Sequence, residues 1–303
     1  MGPAPSGEQF ELVHGDQVAV VTEVGATLRS YRAGERAVID DFDVDARADG
    51  ARGQPLIPWP NRIRDGRYEW DGEPQQLALS EPARANAIHG LVRWSNWVPL
   101  AWGPARITLG LRLHPSPGYP FTLGLTIDYE LTDEGLTVQA YAENLGSTAC
   151  PYGVGFHPYI TVGELIDGAR LTLPFERHLL CDERAIPVSS APVAGTPFDF
   201  RRPREIGPLR LDSCFCEPRR DPDGRTRVIL ENGAGAAVTL WMGAAFPYAM
   251  VFSGDTLAPE RRRRGLAVEP MSCAPNAFAS GAGGGVVTLA PGRTHVAEWG
   301  LTP

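Results

Sequence analysis

The chain has 303 residues, 43% of them hydrophobic and 21% charged, with a net charge of −8 at pH 7. That apolar share excludes wholesale disorder, and the acidic balance argues against nucleic acid as a general partner, because such proteins present a basic face. All 28 basic residues are arginine, so Schiff-base catalysis, a pyridoxal-phosphate anchor and a P-loop lysine are excluded, whatever coding bias produced the pattern.

In chain order, β-branched and alternating segments predict a hairpin over residues 10–14 and 17–24, turned at Gly15-Asp16, then strands over 27–32 and 36–39. Further strands are expected over 67–70, 97–102, 106–114, 123–131 and 136–144. The second half adds 169–173, 227–231, 236–242, 249–252, 265–269 and 285–289. Turn pairs such as Asp71-Gly72, Asp223-Gly224 and Asn232-Gly233 separate them, and helical periodicity over three turns is missing. Proline is spread throughout and no linker divides the chain. The expectation is one all-β domain over 1–303, a large antiparallel β-sandwich.

No apolar run reaches the roughly 18 residues of a membrane span. The N-terminus lacks a basic region followed by an apolar stretch, and the five cysteines are odd in number and scattered, which together predict a reduced, cytoplasmic protein. Cys214-Phe215-Cys216 puts two thiols on one face of a strand with no second pair at zinc spacing, so no metal site is expected. The glycine-rich residues 281–285 read as a hairpin loop, and the arginine run 261–264 as a solvated loop.

Four segments embed a single ionisable residue among apolar and glycine neighbours, where desolvation shifts a pKa. They contain Asn61-Arg62-Ile63, His89-Gly90, Gly155-Phe156-His157-Pro158-Tyr159 and Ala267-Val268-Glu269. Taken in order with Gly25-Ala26-Thr27-Leu28, Gly66-Arg67-Tyr68, Trp97, Leu211-Asp212-Ser213, Pro275-Asn276-Ala277 and Leu289-Ala290-Pro291-Gly292, these segments resemble the aldose 1-epimerase (galactose mutarotase) family over nearly the whole chain.

The resemblance implies a galactose mutarotase-like supersandwich without metal or organic cofactor, acting on a small-molecule sugar as a monomer or homodimer. The implied reaction interconverts the α and β anomers of a free hexose. It needs one group to take the C1 hydroxyl proton and another to protonate the ring oxygen, with both steps reversed on closure. By resemblance the general base is Glu269 and the general acid His157. Arg62 and His89 hold ring-side oxygens, Asp212 accepts from sugar hydroxyls, and Asn61 with Trp59, Trp94 and Trp97 shapes or lines the pocket.

Three positions depart from the family pattern: Ser213 where a histidine is usual, Pro270-Met271 where threonine-glutamine is common, and Met250 where a sugar-contacting glutamine stands. The Glu269–Ala277 segment is similar to a branch that includes sulfoquinovose mutarotase-like proteins, which leaves a neutral or an anionic (sulfo- or phospho-) sugar as alternatives. Two further readings are a sugar-binding sandwich without catalysis, and a glycoside hydrolase pairing Glu269 with Asp212 or Glu143.

Overall fold

The structure, a computed structural model, describes residues 3–280 and 284–303. Two antiparallel sheets dominate. The larger has nine strands in the spatial order Val98–Trp102, Arg106–Leu113, Leu123–Thr132, Gly135–Asn144, Thr294–Thr302, Ala237–Met242, Thr226–Glu231, Arg170–Thr172 and Arg204–Glu205. The second sheet runs Pro187–Pro192, Phe175–Cys181, Asp212–Pro218, Tyr248–Phe252, Leu266–Met271, Gly155–Phe156 and Pro55–Leu56, and Tyr159–Ile160 also pairs with Leu266–Met271. An N-terminal four-stranded meander opens with Gln9–His14 and Gln17–Thr22. The fold is all-β, as the alternating pattern predicts.

The alternation supplies the core directly. Leu125, Ile127 and Tyr129 from one strand and Val138 and Ala140 from the next point inward, all essentially buried. Trp299 and Leu301 join them from the C-terminal strand, whose register places Val138 opposite Trp299. Burying side chains of this size stabilises by roughly 1.5–3 kcal/mol each, so period-2 burial on both sheets accounts for most of the driving force.

The second sheet positions the site, and it does so by strand parity. In Leu266–Met271 every residue is buried, but Leu266 and Val268 lie in the main core while Met271 joins a separate small cluster with Cys214 and Met250. Glu269 shares the parity of Met271 and therefore faces away from the core. Ladder register aligns Cys214, Met250 and Glu269 across three strands, with Asp212, Phe252 and Ala267 as the adjacent row.

Several expectations need correction, although Asp212, which opens the strand Asp212–Pro218, is not among them. Strands Phe175–Cys181, Pro187–Pro192 and Thr294–Thr302 fall where none was expected. The arginine run is solvated only in part: Arg262 and Arg264 are exposed, whereas Arg261 and Arg263 are tied to the fold. Arg263 donates to Asp167 (3.0 Å), Asp255 (3.1 Å) and the carbonyls of Gly207 (2.6 Å) and Leu209 (3.2 Å), while Arg261 donates to the Asp41 carbonyl (2.9 Å). Residues 281–283 of the glycine-rich loop lie outside the described residues.

Candidate active site

Glu269, His157, Arg62, His89, Asp212 and Asn61 all line one cavity of about 500 Å³, with Met250, Phe252 and Leu257 as its apolar wall. Of the three tryptophans considered, Trp94 lines it, whereas Trp59 and Trp97 are buried in the core. Glu143 lies on the strand Gly135–Asn144 of the larger sheet and not in this cavity, which removes it as a partner for Glu269.

Asn61 and His89 form a reciprocal hinge. The His89 amide donates to the Asn61 carbonyl (2.9 Å), and the Asn61 amide donates to His89 Nδ1 (3.3 Å). Both residues occupy the left-handed region, at φ 55° and 62°, a conformation costly without glycine and concentrated at functional sites. Gly90 follows at φ 69°, and a Cβ there would stand 2.0 Å from the Ile57 carbonyl oxygen, so this loop approach requires glycine. Because Nδ1 accepts, the neutral His89 carries its proton on Nε2 as a donor.

Arg62 is held by a residue no sequence motif pointed to. Its Nε and Nη2 fork onto both oxygens of Glu81 at 2.9 and 3.0 Å. The side chain is buried, and although burial opposes its charge, the Glu81 bonds more than offset that and keep it protonated.

At the centre, His157 Nε2 stands 3.2 Å from Glu269 Oε1, and both residues are buried. The His157 ring stacks on Tyr159 (5.1 Å, 16°) and meets His89 edge-on (5.4 Å, 76°). Arg52 lies 4.1 Å over the Tyr159 ring and pairs with Asp40 and Asp49, which fixes its guanidinium against that ring. Glu269 Oε2 and His157 Nδ1 are buried with no hydrogen-bond partner among the described residues.

Burial, reinforced by the like charge of Asp212, pushes the Glu269 carboxyl well above the usual carboxylate range. Burial likewise lowers His157, to about 3, and takes His89 well below the ordinary histidine value. These opposite shifts favour the neutral pair, with the proton on Glu269, and moving that proton across the 3.2 Å contact turns the pair into a carboxylate and an imidazolium.

Donor atoms of His89, His157 and Glu269 all lie within 4.8 Å of one another, a set with the chemistry of a two-histidine, one-carboxylate metal site. Sequence spacing did not show this grouping, because the three residues come from different segments.

The depressed histidines have a measurable consequence. The folded protein keeps them neutral where the unfolded chain protonates them, below about pH 6.5, so stability falls as pH drops from there toward 3. His157→Asn removes one such proton and should make the acid-side decline shallower by up to about 1.4 kcal/mol per pH unit. Urea unfolding from pH 6.5 to 4 checks this, and parallel curves for the two proteins would refute it.

The aldose 1-epimerase family model matches residues 8–302, and the chain belongs to that family. It is 34% identical over 292 residues to uncharacterized protein YihR of Escherichia coli K12, covering 96% of this chain and 91% of that protein. It is 33% identical over 157 residues to galactose mutarotase of Homo sapiens, covering 48% and 44% respectively. Among solved structures, a putative aldose 1-epimerase from E. coli K12 superposes with a TM-score of 0.83 at 22% identity, covering 97% and 98% of the two chains. A GalM/aldose epimerase homologue from C. elegans gives 0.86 at 17% identity with the same coverages. These likenesses establish the galactose mutarotase-like fold. No helix among the described residues is long and apolar enough to cross a membrane.

Proposed function

We propose that the chain is a cofactor-independent aldose 1-epimerase that interconverts the anomers of a free sugar, with Glu269 and His157 as its acid–base pair. The observation that carries this reading is the buried Glu269–His157 contact of 3.2 Å in a cavity of about 500 Å³ that has room for a hexose. In the carboxylate–imidazolium form, Glu269 takes the proton from the C1 hydroxyl and a C1=O1 double bond forms. The C1–O5 bond breaks with its electrons passing to the ring oxygen, which receives the His157 proton. Rotation about C1–C2 and the reverse transfers close the ring on its other face. The pair ends as it began, so no external acid, base or oxidant is consumed.

The surrounding groups match the demands of that step. Arg62 and the His89 Nε2 proton are donors for sugar oxygens, Asp212 is an acceptor at the open end, and Asn61 fixes the His89 ring. Fresh α-anomers of several aldoses, followed by polarimetry, test the reading. Acceleration over the spontaneous rate supports it. Calorimetric sugar binding without acceleration would instead make this a binding sandwich, and release of reducing sugar from a glycoside would make it a hydrolase.

A further inference from the structure

Glu81 lines the cavity yet has no part in the mechanism above. Both its oxygens are engaged by the protein: Oε1 by Arg62 Nη2 (3.0 Å), and Oε2 by Arg62 Nε (2.9 Å) and Asn86 Nδ2 (3.0 Å). Any effect it has on a sugar must therefore pass through Arg62. The fork uses Nε and Nη2, and Nη1 makes only a 3.5 Å approach to Asn61 Oδ1, which already accepts from the Arg62 amide at 3.0 Å. The Nη1 side of the guanidinium is thus what remains for a ligand. Three carboxylates compete for this one cation. Glu81 has the strongest hold, and Asp212 and Glu269, which line the same cavity, act on the Arg62 charge after it. Among the described residues neither of these two forms an ion pair with Arg62. Glu269 is buried and its Oε2 has no hydrogen-bond partner among them, an arrangement that costs free energy. A guanidinium released from Glu81 would gain by turning to that oxygen or to Asp212. It would then fill space meant for the sugar and occupy the group that takes the C1 hydroxyl proton.

Glu81 prevails because it is anchored from outside the cavity. Asn86, fully buried, donates to Glu81 and to the Arg184 carbonyl (3.0 Å), and its Oδ1 accepts from Arg184 Nη2 (3.3 Å). Arg184 lies between the strands Phe175–Cys181 and Pro187–Pro192. It also donates to the Arg84 and Ala85 carbonyls (2.9 and 2.7 Å), in the turn that joins Glu81 to Asn86. The Glu81 and Asn86 amides each donate to the other's carbonyl, at 2.9 and 3.2 Å. Asn86–Ile88 in turn pairs with Arg62–Arg64, with Ile88 opposite Arg62. Carboxylate and guanidinium are carried on adjoining backbone, and a chain of hydrogen bonds from Arg184 through Asn86 fixes the carboxylate.

We propose that Glu81 is a positioning residue for anomer exchange: it holds Arg62 away from Asp212 and Glu269 and presents the Nη1 side of the guanidinium to a sugar oxygen. The inference rests on the acid–base reading for what Glu269 does. Glu81→Gln keeps the length of the side chain but replaces one accepting oxygen of the fork by a donor, which frees Arg62 to turn toward the acid–base pair.

Anomer exchange followed by magnetisation-transfer NMR, on whichever of glucose, galactose and glucuronate is turned over fastest, tests the inference in a double-variant cycle. Glu81→Gln should lower kcat/KM by about tenfold or more, with KM rising, the order of loss for a charge-assisted hydrogen bond no longer made. Glu81→Asp, which keeps a carboxylate, should recover part of it. In an Arg62→Met background the same Glu81→Gln change should alter kcat/KM by no more than about twofold, because no guanidinium remains to be misplaced. A similar fall in both backgrounds assigns Glu81 a merely structural role and overturns the inference, as do wild-type kinetics in Glu81→Gln. Either result leaves the mutarotase reading intact. If Glu81→Gln does not fold, Glu81→Asp is taken through the same cycle with the same outcomes. If the wild-type protein turns over none of the sugars, the mutarotase reading fails, and calorimetric binding of the same sugars decides the assignment of Glu81. Weakening of about tenfold by Glu81→Gln only where Arg62 is present upholds its hold on Arg62. Absence of binding, equal weakening in both backgrounds, or no weakening overturns it.

Discussion

Glu269→Gln is expected to lower the rate of anomer exchange by about 10²- to 10⁴-fold, the range a positioned general base contributes. The amide keeps the volume of the carboxyl and remains beside His157, but it cannot accept the C1 hydroxyl proton. Folding should survive, because the site favours an uncharged group there: burial and Asp212 both oppose the Glu269 charge. A thermal midpoint at or slightly above that of the wild type, with sugar binding retained by calorimetry, would separate lost chemistry from lost structure. Exchange at the wild-type rate would remove Glu269 from its assigned role and with it the shared-proton mechanism.

The second large effect belongs to a residue that touches no substrate. Arg52→Met should cost about 3–5 kcal/mol, the range for breaking a buried ion pair from one side, which corresponds to a fall in Tm on the order of 10 °C. Arg52 is only 1% exposed and bonds Asp40 at 2.5 Å and the Asp40 carbonyl at 3.1 Å, with Asp49 at 3.1 Å. Asp40 is buried too, and its remaining cations, Arg261 and Arg264, stand at 3.6 and 3.9 Å, too far to replace that bond. Loss of the guanidinium also removes the cation–π contact to Tyr159, on which His157 stacks, so kcat should drop with stability. Differential scanning calorimetry checks the first expectation. In the double variant with Asp40→Asn, a cost clearly below the sum of the two single costs shows that the stranded Asp40 charge is responsible. A single-variant Tm within 2 °C of wild type would contradict the account.

What the sequence disclosed followed from how local each signal was. Residues 123–131 and 136–144 read as strands because their apolar residues alternate without interruption, and the observed strands Leu123–Thr132 and Gly135–Asn144 agree to within a residue. Phe175–Cys181 escaped because Glu176, Arg177 and His178 hide its period, and Thr294–Thr302 because polar Thr294, His295 and Glu298 precede or divide its buried Ala297, Trp299 and Leu301. Pairing with neighbouring strands overrides weak local preference in both.

The candidate site shows the same division. Glu269, His157, His89, Arg62, Asn61 and Asp212 were named from the ordered family resemblance, and the fold brings them to one cavity. Glu81 was missed, since it sits in no motif and gains meaning only through a contact. Arg52 was equally silent: its partners Asp40 and Asp49 are near in sequence, but only the fold seats it against Tyr159.

The row formed by Cys214, Met250 and Glu269 has a consequence for how such a protein can change. Each of these residues is flanked on its own strand by core residues, such as Phe215, Ala249, Val251 and Val268, that point the other way. Selectivity and foldability are thus inherited on alternate letters of the same short strings. New sugar preferences can arise by exchanging one letter in two, while the neighbouring letters keep the architecture.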